Sequence, residues 1–224
     1  MFSFLLNPFF ILPLILVGWA QLRVRSAFKK YSQELSTARL TGAETARRIL
    51  NEQGIHDVAV EETEGMLSDH YDPRNKTVRL SSQNFHGHHL AGLAVAAHEV
   101  GHAIQHAQGY MPLNMRTAIL PVANIGSSLG FPLVLAGIFF GMAGLMDIGI
   151  LFFAGAVLFQ FITLPVEFNA SSRALAILSQ GYLAGDEVSS AKRVLNAAAL
   201  TYVAAAATAV LQLAHLLFLR GSDD

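Results

Sequence analysis

His98-Glu99-Val100-Gly101-His102 is the stretch whose residue types and spacing could do chemistry. On a helix, residues four apart point the same way, so His98 and His102 present two imidazoles to one metal ion, with Glu99 beside them. Two imidazoles and a neighbouring carboxylate are the parts of a zinc hydrolase: the histidines hold the ion and the glutamate takes a proton from water. The chain contains no cysteine, which excludes thiolate ligands and a disulfide framework and leaves His and carboxylates for any zinc site. A catalytic zinc needs three protein ligands and an open position, so a third ligand has to come from elsewhere in the chain. The competing reading of the motif is a helix with two core or surface histidines.

The motif lies in an apolar, Ala-rich run from Leu90 to Ala107, which reads as a helix ending at Gly109. Upstream, Thr41-Gly42-Ala43-Glu44 reads as a capping box opening a short helix that Gly54 closes. Val58 to Glu62 alternates like a strand, Asp72-Pro73-Arg74-Asn75 is a turn signal, and Thr77 to Ser81 reads as a second strand. No internal repeat or low-complexity linker is evident.

The chain as a whole is 53% hydrophobic and only 14% charged, which is too apolar for an ordinary soluble domain and points to a membrane protein. The near-neutral net charge gives no sign of nucleic-acid binding. Phe2 to Leu22 is long enough to cross a ~30 Å hydrocarbon layer. Positive charges follow it, at Arg23, Arg25, Lys29 and Lys30, which marks an uncleaved anchor (1–22) with its N-terminus outside. The expected organisation continues with a water-facing domain (23–117), a transmembrane hairpin (118–166) turning near Gly144 to Asp147, two short polar helices (167–196) split around Gly181 to Gly185, and a last span (197–219). On that span Thr201, Thr208, Gln212 and His215 fall on one stripe, as expected for interhelical packing. Of the fifteen Lys and Arg, fourteen lie in the segments this topology assigns to the cytoplasm, and only Arg220 lies outside.

That topology brings the motif and the segment opening at Glu167 to one side of the membrane. Glu167 is therefore the choice for third ligand: it stands where the third span emerges, where a carboxylate costs less than one in lipid. Asp147 resembles the ligand of intramembrane site-2 proteases, but the charge rule puts it on the opposite face. His86, His88 and His89, and Asp69, His70 and Asp72, form two further clusters that read as solvated loops.

Ser68 to Pro73, His98 to His106, Leu164 to Ser171 and Ala197 to Ala205, in that order and with this hydropathy profile, resemble the YugP-type bacterial membrane zinc metallopeptidases over nearly the whole chain. The resemblance implies a mainly α protein, with a four-helix transmembrane region and a small α+β zincin-like cytoplasmic domain carrying the HExxH helix. It implies one zinc ion on His98, His102 and Glu167, with Glu99 as base, in a multi-pass bacterial membrane protein; the charge distribution adds the orientation expected in the cytoplasmic membrane, with the active site facing the cytoplasm and both termini outside. Zincins with a glutamate ligand, including HtpX-type proteases, commonly carry Glu-x-x-x-Asp. Here the fourth position is Ser171, which leaves Asn169, Ser171 or a backbone carbonyl as the partner that orients a ligand histidine.

The expected activity is endopeptidase cleavage of membrane-associated or misfolded proteins by water that zinc activates and Glu99 deprotonates, Glu99 then protonating the leaving amine. His106, Tyr110, Arg173 and Tyr202 are nominees for stabilising the oxyanion. A substrate peptide held as an added strand would use Thr77 to Ser81, the strand nearest the helix in sequence. The alternative is an inactive zinc-binding membrane scaffold or accessory protein, which has no need of Glu99. Metal transport fits less well, because carriers place ligands at mid-bilayer.

Overall fold

A computed structural model describes residues 8–221. In chain order the elements are α1 (Pro8–Tyr31), α2 (Gly42–Glu52), β1 (Ala59–Thr63), β2 (His70–Asp72), β3 (Thr77–Ser81), α3 (Ser82–His86), α4 (Leu90–Ala107), α5 (Met111–Phe140), α6 (Ala143–Ser179) and α7 (Asp186–Gly221). The first residues of the expected anchor lie outside the described residues. The chain divides into two compact units: 22–111 with 166–200, and 1–21 with 112–165 and 201–224.

The first unit is built around α4. Ahead of it, Thr41 Oγ1 accepts from the Glu44 amide (3.0 Å) while Glu44 accepts from the Thr41 amide (2.8 Å), the reciprocal cap expected of this sequence. Behind that cap α2 buries Ala46, Ile49 and Leu50. The sheet has the order β1-β3-β2, with β1 parallel and β2 antiparallel to β3. This central place explains why Val78 and Leu80 are fully buried. It also corrects the expectation for an added strand: β3 is paired on both sides, so the open edges are β1 and β2. β2 itself falls where the sequence suggested only a loop ahead of the turn.

α4 begins at a cap made by His89, whose Nδ1 accepts from the Gly92 amide (2.9 Å). Its alanines matter because they allow close approach. Val166, Ala170, Ala174 and Leu178, four apart on α6, form a fully buried stripe. At the crossing of the two helices, a Cβ added to Gly101 would stand 2.8 Å from the Ala170 carbonyl oxygen, so residue 101 has room only for glycine.

The polar stretch after Pro165 is not a pair of separate short helices. α6 runs unbroken to Ser179 and α7 starts at Asp186, with Gly181 and Gly185 at positive φ in the link. Backbone hydrogen bonding carries on past the point where the composition becomes polar, so the helix end and the change of environment do not coincide.

In the second unit α5 and α6 are joined at Gly141 and Met142, slightly before the expected turn, and pack through glycines such as Gly126 and Gly149 that leave no room for a Cβ. His215 is stacked on Phe9, with ring centroids 4.7 Å apart, as a packing residue should be. Asp147 pairs with Arg220 (2.9 Å). Among the described residues, α1, α5, α6 and α7 are the four helices long and apolar enough to cross a membrane.

Candidate metal centre

One helical turn separates His98 from His102 on α4, and their ring centroids are 4.8 Å apart. Glu167, the second residue of α6 within the same unit, turns its carboxylate to both: Oε2 is 3.3 Å from His98 Nε2 and 3.5 Å from His102 Nε2. One ligand atom from each of the three residues lies within 4.8 Å of the others. Two neutral imidazole nitrogens and one carboxylate oxygen are the donor set of a three-ligand zinc centre, so the residues fit that ion.

Hydrogen bonds orient both histidines and fix which nitrogen His102 offers. Gln105 Nε2 donates to the Val166 carbonyl (2.8 Å), a group that only accepts, so the amide has one possible orientation. Its Oε1 then faces His102 Nδ1 at 3.0 Å and requires a proton there, leaving the Nε2 lone pair for a metal. Gln105 is fully buried. The same amide nitrogen also donates to Asn169 Oδ1 (2.9 Å), which accepts in turn from Arg173 Nε (2.7 Å); Arg173 Nη1 donates to Gln108 (2.7 Å). For His98, Nδ1 lies 3.1 Å from Ser171 Oγ. Ser171 thus occupies the orienting position that an aspartate fills in the Glu-x-x-x-Asp pattern, and Asn169 acts one step back, through Gln105.

Glu99 is 8% exposed, on the same helix and one residue from His98. Burial pushes its carboxyl above the ordinary range, against the pull of the two histidines. A carboxylate whose affinity for protons is raised, held dry beside a metal site, is suited to accept a proton and give it back.

The nominees for the oxyanion separate. Arg173 belongs to the hydrogen-bond chain behind His102 and also lies over the Tyr110 ring, 5.9 Å from its centroid. His106 Nδ1 is 2.8 Å from the hydroxyl of Tyr71, whose pKa burial pushes up to about 12, so Tyr71 stays neutral and engages His106 through a hydrogen bond. Tyr202 lies on α7 in the other unit. The two side clusters are structural rather than ligating. His89 caps α4, His86 meets Glu62, and Asp69, in the loop just ahead of β2, accepts from the Ser81 amide (2.8 Å) and from Asn84 (2.9 Å), tying that loop to β3 and α3. Sequence reasoning missed Gln105, although its spacing of three from His102 on the buried face was a usable signal.

Residues 7–221 match the protein family described as "Putative neutral zinc metallopeptidase". The Bacillus subtilis (strain 168) protein described as "Putative membrane protease YugP" is 48% identical over 209 residues, covering 92% of this chain and 93% of that protein. No solved structure matches. With the family match spanning nearly the whole chain and four apolar helices of membrane-crossing length, the protein is a membrane protein and belongs to this neutral zinc metallopeptidase family.

Proposed function

We propose that the chain is a membrane-embedded, zinc-dependent endopeptidase, with His98, His102 and Glu167 holding one zinc ion and Glu99 acting as general base. The observation that carries this reading is Glu99 itself: a buried carboxylate with raised proton affinity, beside the ligand set yet outside it. Zinc, when bound, supplies a Lewis acid that polarises the scissile carbonyl and makes water acidic enough to ionise near neutral pH. Glu99 takes the proton from the attacking water and delivers it to the leaving amine. Gln105 holds His102 in the ligating tautomer, and Ser171 holds the orientation of His98.

The water-facing sequence is short, and Glu167 directly follows the apolar run that ends at Val166. Both features favour substrates that are membrane proteins or segments near the membrane surface. A substrate strand would add to β2, the sheet edge that packs against α4. The skew of Lys and Arg supports a bacterial cytoplasmic-membrane protein with its active site toward the cytoplasm and both termini outside.

The test uses full-length protein in detergent, with bound zinc and cleavage of an unstructured protein measured together. Glu99→Gln should keep its zinc and lose about 10²-fold or more of the activity. Glu167→Gln should lose zinc, and Asp147→Asn should not. Equal cleavage by wild type and Glu99→Gln would refute the base and leave a zinc-binding scaffold.

A further inference from the structure

A cleft of about 330 Å³ opens between α1 and α7, within the unit that carries the metal centre. Three cations line it, Arg23 and Lys30 from α1 and Arg193 from α7, together with the hydroxyl-bearing Ser26 and the amide of Asn196. No carboxylate belongs to the lining; Glu34 and Asp186 act on Arg193 electrostatically from outside it. Arg193 Nη1 donates to the hydroxyl of the buried Tyr31 (3.3 Å), which sets the guanidinium against the α1 wall. Ala27 and Leu200 give the cleft an apolar side.

Both helices change character at this point. α1 is apolar to Leu22 and basic from Arg23; α7 carries Lys192 and Arg193 and becomes apolar from Ala197. Each apolar run belongs to a helix of membrane-crossing length, so the cleft lies where two helices leave the hydrocarbon, at the depth of lipid phosphates. Two arginines and a lysine lining one cleft, the Lys30 ammonium 5.1 Å from the centroid of the Tyr31 ring, are the residue types that bind a phosphate, which guanidinium holds through paired N–H donors. The apolar side suits an acyl chain.

We infer that this cleft binds the phosphate headgroup of an anionic phospholipid from the adjoining leaflet. The inference does not depend on the peptidase reading, because lipid binding is measured without catalysis.

The test titrates full-length protein in neutral detergent with dioctanoyl phosphatidylglycerol, dioctanoyl phosphatidylcholine or inorganic phosphate, and reads bound lipid by native mass spectrometry and thermal shift. Phosphatidylglycerol should bind and raise the melting temperature, while phosphatidylcholine should do neither. Arg23→Gln and Arg193→Gln should each weaken that binding at least tenfold. Arg193→Lys should recover much of it, which separates loss of the site from loss of the fold. Lys192→Gln, a neighbouring cation outside the lining, should bind like wild type. The proposal is overturned if Lys192→Gln weakens binding as much as the cleft variants, if phosphatidylcholine binds equally, or if inorganic phosphate binds with the same variant dependence and displaces the lipid, making a free anion the ligand.

Discussion

Gln105 governs a candidate metal ligand from one hydrogen bond away. Its amide has one orientation because the Val166 carbonyl can only accept, and that orientation protonates His102 at Nδ1. Gln105→Ala should therefore weaken zinc binding by about 10- to 100-fold, read by competition with a chelator, and Ser171→Ala should act in the same direction through His98. Asp72 offers a prediction away from the centre. The Arg74 amide, with help from Asn75 and Arg79, holds its carboxyl down to about 2 in the folded protein, below the ~3.9 of an unfolded chain. Its contribution to stability is complete above pH ~4 and disappears as pH falls toward 2. In denaturant titrations, the stability gap between wild type and Asp72→Asn should narrow across that window. Residue type and spacing alone sufficed to put His98 and His102 side by side on one helix and to place the Thr41 cap. Gln105 and Asn169 were less legible, because a buried amide announces itself only once its partners are known.

At the scale of elements, the centre depends on how closely α4 and α6 cross. Gly101 is the contact point, with the Ala170 backbone where a Cβ would be. Gly101→Ala should destabilise the protein by about 1–3 kcal/mol as an overpacked contact and also lower zinc affinity, since the two ligand-bearing helices would be wedged apart. Denaturant unfolding and zinc titration on the same sample check both effects. The strands were largely legible but their order was not. Alternation and turn residues mark β1 and β3, whereas the parallel pairing that puts β3 in the middle joins strands that are not consecutive, with β2 between them in the chain. The lengths of α6 and α7 were hidden for a different reason. Composition reports where a helix leaves lipid, and hydrogen bonding alone decides where it ends.

For the whole molecule, metal and fold are linked. Zinc would join α4 to α6, so chelation should lower the melting temperature of wild type, by an amount equivalent to about 2.7 kcal/mol when free zinc had stood at a hundred times its dissociation constant. Glu167→Gln, lacking a ligand, should show a much smaller chelator shift. The division of ligands along the chain has one more consequence. His98 and His102 are made first, and Glu167 follows only after two long apolar stretches have been translated. A growing chain therefore carries an incomplete centre until the α5–α6 pair has been synthesised. If the centre is that of a peptidase, order of synthesis alone would keep the nascent protein inert while its own unfolded segments, and those of neighbouring chains, are still within reach.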